Sequence, residues 1–195
     1  MIYFNKAINL LASLYASSVF GISSNNGKNC FGYIIISYGP ENKNYVFDVT
    51  TFRKDIKYED NRKPIKIKYI NDLKKDLLRR DFTINTLCIN KDGEIIDFLG
   101  GRSEIDNRIV KTVGDAKTRF EEDSLRILRA VRFATLLDFE LDKETREAII
   151  ETRELLRNLS YYRKKEELDK IFSSSNADKG IQLLLDLGLD RYLEL

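Results

Sequence analysis

Residues 115–133 run Asp-Ala-Lys-Thr-Arg-Phe-Glu-Glu-Asp-Ser-Leu-Arg-Ile-Leu-Arg-Ala-Val-Arg-Phe. Leu125, Ile127, Leu128, Ala130, Val131 and Phe133 cover most of the surface of a helix wound through this stretch, so the helix is predicted to lie in a core. Glu122, Arg126 and Arg129 fall at i, i+4 and i+7 on one face, with Asp123 beside them three residues before Arg126. Burying charge is costly unless the charge is paired or binds something. The stripe therefore marks either an ion-paired seam or a recognition surface.

Outward from this stretch the grammar is helical. Helices are predicted over 117–137, 142–158, 162–173 and 178–187, the first being the longest. Acidic residues within Asp138-Phe139-Glu140-Leu141-Asp142 stand ready to cap the second. Upstream, a Gly100-Gly101 pair separates this all-helical part from one of mixed character. There, residues 7–20 have helical period, and a Gly-, Ser- and Asn-rich loop follows over 21–29. Two β runs over 31–38 and 44–53 flank a Gly39-Pro40 turn. Residues 54–64 read as a charged irregular loop, and 65–70 as a short strand. A helix is expected from Asn71 or Asp72 to Arg80, continuing as an apolar helix over 82–89. Asn90-Lys91-Asp92-Gly93 then turns into a strand over 94–98. The expected fold class is α+β, with domains over 1–99 and 100–195.

The chain has 195 residues, 43% hydrophobic and 33% charged, enough apolar mass for a core. Lys plus Arg number 33 against 31 Asp plus Glu, so net charge alone announces no polyanion. From Arg53 to Phe82, however, eleven basic residues meet six acidic ones, a local surface suited to phosphates or to solvent. Histidine is absent, which excludes His-based acid–base chemistry and Ser-His-Asp triads. Cys30 and Cys88 match no metal spacing and read as interior residues of a reduced, cytoplasmic protein. No apolar run approaches the ~20 residues that span a bilayer.

Three further clusters join the stripe. Asp48, in Phe47-Asp48-Val49-Thr50-Thr51-Phe52-Arg53, is a strand carboxylate that could hold a divalent metal or sit at a solvated edge. Arg79-Arg80-Asp81-Phe82-Thr83-Ile84-Asn85 offers guanidinium forks for phosphate and both acceptor and donor for a ribose hydroxyl, or else a polar helix end. Asp97-Phe98-Leu99-Gly100-Gly101 is a turn or hinge.

In this order the clusters resemble the tRNA nucleotidyltransferase and poly(A) polymerase family, the class II branch of the polymerase β superfamily. The resemblance runs from about Phe31 onward, and Arg163 with Glu167 is similar to the family's following helical motif. It implies a partial polymerase-β-like palm over 1–99 and a helical neck over 100–195. It also implies template-independent addition of CMP and AMP (CCA) to tRNA 3′ ends. A poly(A) polymerase-type adenylyltransferase and a non-catalytic nucleotide- or RNA-binding module are the alternatives. ATP, CTP and an RNA 3′ end would be the partners, and Mg²⁺ the cofactor. By resemblance, Asp123 and Arg126 would read the base, Glu122 and Arg129 would orient them, and Arg53, Arg163 and Glu167 would support them. Asp81 and Asn85 would face the ribose, Arg79 or Arg80 the triphosphate, and Gly100-Gly101 would be a hinge.

The physics fits that assignment. Cytosine and adenine each present an amine donor beside a ring-nitrogen acceptor, which a carboxylate and a guanidinium match. Uracil and guanine present the reverse, leaving buried groups unpaired at roughly 1–3 kcal/mol each. One departure stands out. The family's Asp-x-Asp metal pair and Gly-Gly turn, expected before the first helix, have no counterpart, which leaves Asp48 as a single ligand. The expectation is a truncated protein, or one completed by a missing N-terminal segment or a partner chain.

Overall fold

The computed structural model describes residues 19–20, 31–38, 43–50, 52–59, 63–90 and 92–193, with side chains described over 52–55, 67–90 and 92–193. The predicted helix over 7–20 lies outside the described residues except at its end. There Val19–Phe20 form a strand, β1, instead of a last helical turn. β2 (Phe31–Tyr38) pairs antiparallel with both β1 and β3 (Lys43–Thr50), with Val19 opposite Ile36 and Asp48 opposite Tyr33. The Gly39-Pro40 turn and Cys30 lie outside the described residues.

The predicted loop over 54–64 is largely strand. β4 (Arg53–Glu59) pairs with β5 (Lys63–Tyr69) in a two-stranded sheet. The chain divides into two compact units, and Tyr69–Asn71 and Cys88–Ile96 belong with the N-terminal strands in the first. Lys54–Lys68, Asp72–Leu87 and Asp97–Leu195 make the second. In the first unit β6 (Cys88–Ile89) and β7 (Ile95–Ile96) form a hairpin. Its turn is fastened by Asn90, whose Oδ1 accepts from the N–H groups of Asp92 and Glu94, both at 2.9 Å.

The second unit begins with α1 (Leu73–Leu77), capped by Asp72 as expected, whose carboxylate accepts the Lys75 N–H at 3.1 Å. The predicted helix over 82–89 does not form; Thr83–Asn85 make one 3₁₀ turn and Cys88–Ile89 are strand. Three competing bonds explain this. Asp81 Oδ1 accepts from its neighbour's N–H at Phe82 and from Asn85 Nδ2, and the Thr83 N–H donates to Lys111 O at 2.9 Å. Side-chain and long-range acceptors thus take donors that a helix would need.

Between the Gly100-Gly101 pair and the Asp115–Phe133 stretch lie α2 (Gly101–Asp106) and β8 (Ile109–Val110). Gly100 caps α2 with φ +77°, which favours glycine, and a Cβ on Gly101 would lie 2.2 Å from the Thr83 carbonyl oxygen, so Gly101 requires it. The predicted 117–137 helix is two helices, α3 (Ala116–Glu122) and α4 (Leu125–Leu137). Asp123 breaks it with extended backbone, φ −150° and ψ 101°, and its Oδ1 accepts the Leu125 N–H. β9 (Glu140–Leu141) pairs parallel with β8. Asp142 then caps α5 (Lys143–Thr152), accepting from the N–H groups of Glu144 and Thr145, and the chain continues as a 3₁₀ turn over Arg153–Asn158. α6 (Tyr161–Phe172), α7 (Ala177–Asp186) and α8 (Asp190–Leu193) complete the unit.

Ile127, Leu128, Ala130 and Val131 of α4 form the centre of one core with Phe82, Phe120, Ile149, Leu156, Leu168, Ile171 and Leu187, all fully buried or nearly so. Each buried Leu, Ile or Phe contributes roughly 1.5–3 kcal/mol, so α4 is fixed in place by its apolar surface and not by its charges. The mixture of small sheets and a helical majority is an α+β fold, as expected.

Candidate functional site

The break after α3 lies beside the Arg79–Asn85 segment. The backbone bond from Thr83 to Lys111 and that from the Val113 N–H to Asp81 O (2.9 Å) hold this segment against the α3–α4 region. The charged groups of the second unit then sort into linked pairs.

Glu122 lies between two guanidinium groups. Its Oε2 accepts from Arg126 Nη1 and from Arg119 Nη1, both at 2.7 Å. Arg126 is the more enclosed, with only 9% of its side chain exposed. It also donates to Arg119 O at 2.9 Å and to Arg79 O at 3.2 Å. Arg119 donates to Val113 O and Leu78 O, both at 2.9 Å. At least three of the five Arg126 N–H donors are thereby committed to fixed acceptors, which restricts the orientation of the guanidinium.

Arg129 turns to Asp81, donating to Oδ2 from Nε at 2.7 Å and from Nη2. Asp81 Oδ1 accepts from Asn85 Nδ2 at 3.0 Å and the Phe82 N–H at 2.9 Å. Burial alone would raise the Asp81 carboxyl. The Arg129 charge and the Asn85 and Phe82 bonds outweigh it and hold the group below the usual carboxylate range.

Asp123 goes elsewhere. Both its oxygens meet Arg163 Nη2 of α6, at 3.2 and 3.3 Å. Burial pushes this carboxyl up. Arg163, the Leu125 N–H and the more distant Arg126 oppose the rise without cancelling it. Asp81 and Asp123 are thus two carboxylates shifted in opposite directions within one site.

Arg79 donates to Asp76 Oδ1 from Nε (3.0 Å) and Nη2 (2.6 Å), and Asp76 is fully buried. Arg80 Nη1 donates to Asn85 O at 3.1 Å, and its Nη2 lies 3.5 Å from Asp76. Glu167, one turn after Arg163 on α6, pairs instead with Arg132 of α4 at 3.1 Å, almost wholly buried. Arg132 also lies over the Phe133 ring, 4.5 Å from its centre, with Arg129 at 5.5 Å and Phe82 meeting that ring edge-on. Burial lowers the Arg132 guanidinium despite Glu167.

The second unit thus brings together Arg79, Arg80, Asp81, Asn85, Glu122, Asp123, Arg126, Arg129, Arg163 and Glu167. Arg53 opens β4 in the other set of residues, half-buried. Asp48 lies on β3, but its side chain is outside the described residues. Among the described residues no group of three or more His, Cys, Asp or Glu side chains could hold a metal ion. Among the described residues, no helix is long and apolar enough to cross a membrane. Sequence reasoning missed Arg119, Asp76 and Arg132. Their spacing was the available signal: Arg119 stands three before Glu122, and Asp76 three and four before Arg79 and Arg80.

Residues 9–111 match the poly(A) polymerase head domain family, and residues 138–194 match a family described as "Probable RNA and SrmB- binding site of polymerase A". A CCA-adding enzyme of Bacillus velezensis is 41% identical over 158 residues, covering 81% of this chain and 39% of that protein. One of Bacillus pumilus is 45% identical over 143 residues, covering 73% and 36%. The chain therefore spans about two-fifths of the length of these relatives. The crystal structure of the Bacillus stearothermophilus CCA-adding enzyme in complex with CTP superposes with a TM-score of 0.72 at 37% identity, covering 83% of this chain and 38% of that one.

Proposed function

Since the chain belongs to the poly(A) polymerase head-domain family, we propose that it serves template-independent nucleotidyl transfer, the addition of CMP and AMP to tRNA 3′ ends. The observation that carries this reading is the pair Asp123 and Arg126 at the α3–α4 break, each held by its own partner, Arg163 and Glu122. Asp123 supplies an acceptor for the exocyclic amine of cytosine or adenine, and Arg126 a donor for the adjacent ring nitrogen. A protein pair then selects these bases without a nucleic-acid template.

In the same reading Arg129 steadies Asp81, so that Asp81 and Asn85 present acceptor and donor to the ribose. Arg79 and Arg80 face the triphosphate, which competes with Asp76 for their forks. Gly100, already in the left-handed region, and Gly101 are the pivot between a head over 1–99 and a neck over 100–195. Arg53 supports the head. Mg²⁺ supplies the activation of the attacking hydroxyl in such reactions. Asp48 is the ligand that the family resemblance assigns it, so base selection and not metal chemistry is what these residues support. A cytoplasmic location follows from tRNA and nucleoside triphosphates as partners.

The test is titration calorimetry of the chain with CTP, ATP, GTP and UTP, followed by labelled CTP or ATP with tRNA lacking its CCA end. Binding of CTP and ATP in preference to the other two is expected. Equal binding of all four, or of none, overturns the reading. Label from ATP alone, on any RNA end, would place the chain with poly(A) polymerases instead.

A further inference from the structure

On the reading that this chain serves transfer to an RNA end, we propose that Tyr162, braced by Tyr161, is the stacking platform for the last base of that end.

Tyr162 is 82% exposed and Tyr161 52%, although both open α6, a helix whose Leu168 and Ile171 are buried. Their rings meet edge to face, with centroids 5.9 Å apart and planes at 75°. In that arrangement one ring offers an edge and the other a face. Whichever ring gives up a face, Tyr162 keeps at least one open to solvent, and its neighbour limits how far it can turn.

The pair stands beside the base site. Arg163 follows at once in the chain, and its Nη2 meets both oxygens of Asp123 at 3.2 and 3.3 Å. All of these residues belong to the second unit. The last nucleotide of the acceptor and the incoming one become neighbours in the product. The acceptor end must therefore lie next to the nucleotide whose base Asp123 reads, and an exposed ring one residue from Arg163 is placed to cover it.

Charge selects the class of occupant. Residues 157–165, Arg-Asn-Leu-Ser-Tyr-Tyr-Arg-Lys-Lys, carry four cations and no acid around the two rings. Lys164 turns inward to the carbonyls of Tyr192 and Leu193, both at 3.0 Å. Arg157 and Lys165 are exposed and Arg163 is half-buried. Lys165 pairs with Asp169 at 2.6 Å, but an exposed pair of this kind contributes little and opens readily to a phosphate. Aromatic faces set among cations suit a single strand, whose bases stack while its phosphates meet the charges.

Stacking also suits what an end site has to do. Successive additions of CMP and AMP change the base at the end, so the site must accept each in turn. Hydrogen bonds to base edges would discriminate among them. A ring face does not, because every base has a π-face. Choice of nucleotide stays with Asp123 and Arg126, and the end is held without regard to its identity.

The experiment is fluorescence anisotropy of 5′-labelled single-stranded RNAs of about twelve nucleotides on the full chain. The RNAs differ only at the last position, which is A, C, G, U or abasic. The proteins are wild type, Y162A, Y162F and Y162L, with matching thermal midpoints as the check on folding. Y162A is expected to bind the four based ends roughly tenfold more weakly, by a similar factor for each. Y162F keeps the ring and should match wild type, while Y162L keeps apolar bulk without a π-face and should behave as Y162A. The abasic end should bind wild type and Y162A alike. Equal binding of the based ends by wild type and Y162A overturns the proposal, as does an equal loss on the abasic end. A Y162L protein that binds like wild type, or a wild type that binds none of the RNAs, overturns it too. CTP and UTP titration without RNA separates this from the base-reading role. A wild type that prefers neither nucleotide, yet shows the Tyr162 dependence, leaves the platform standing and removes the role of Asp123.

Discussion

Breaking the Asp81–Arg129 pair one side at a time gives a measure of how much the site is held by charge. The Asp81 side chain is 11% exposed and that of Arg129 32%, so the pair is neither dry nor freely solvated. Two unit charges 4 Å apart attract by about 4 kcal/mol at an effective dielectric near 20. Desolvation and the exposed edge of Arg129 take back much of this. The net is about 1.5–3 kcal/mol, the range for hydrogen bonds to charged groups. Asp81→Asn removes the charge and turns an amide donor or a neutral oxygen toward the guanidinium. Arg129→Gln leaves a buried carboxylate held only by Asn85 and the Phe82 N–H. Each single variant should lose about 2–3 kcal/mol, the second more, because the better buried charge is the one stranded. The double variant should lose less than the sum, with a coupling of about 1.5–2.5 kcal/mol. The folded Asp81 carboxyl titrates below its unfolded value, so its contribution is complete above the unfolded pKa. It is lost as pH falls through the folded one. Urea unfolding followed by circular dichroism at pH 7 and on descending below about pH 4 measures all four corners of the cycle. A coupling under about 0.5 kcal/mol at pH 7, or one that survives full acidification, would refute the assignment of this pair as a structural tie of the site.

Gly101→Ala should cost about 1–3 kcal/mol or more in urea unfolding, because its Cβ would meet the backbone of Thr83 at 2.2 Å and not a side chain that could yield. Gly100→Ala, with open space around it but φ +77°, should cost only about 1 kcal/mol, and equal losses at the two would sink that distinction. Glu167→Gln strands Arg132 almost fully buried and should cost about 3–5 kcal/mol, while Arg132→Met with Glu167→Leu recovers most of it. A Glu167→Gln protein with an unchanged thermal midpoint would show that the pair is not what fixes α6 on α4.

The helical half of the fold was legible because its helices bury one face, and a 3.6-residue period survives in the sequence wherever burial imposes it. The break at Asp123 is masked by apolar spacing that continues across it, although Asp123-Ser124 are cap-forming residues and carry a local signal for it. The carboxylate at the break is met by Arg163, forty positions away, a contact that local spacing does not contain. The strands β4 and β5 were missed for another reason. Charge at most positions of 53–69 gives a solvated hairpin the composition of a loop, and the pairing that distinguishes them is non-local. At 82–89 the apolar count suggested helix, but Asp81 and Lys111 captured the donors first.

The site was legible as a set of residue types and not as a set of partners. Spacing placed Glu122 on Arg126, and the structure has that bond. Spacing also placed Arg129 on the same face, yet its partner is Asp81, forty-eight residues upstream. It placed Glu167 one turn from Arg163, yet the two reach different residues of the α3–α4 region, Arg132 and Asp123. Helical periodicity fixes which side chains share a face, but long side chains choose among all the charges that tertiary packing delivers. The consequence bears on function. Because Asp123 and Arg126 have separate supports on separate helices, a change to α6 should, on the proposed base-reading roles, alter the acceptor while the donor stays fixed. A site whose two reading groups shared one clamp would gain or lose all bases together; with two clamps, the preference between bases and the affinity for them are separable quantities.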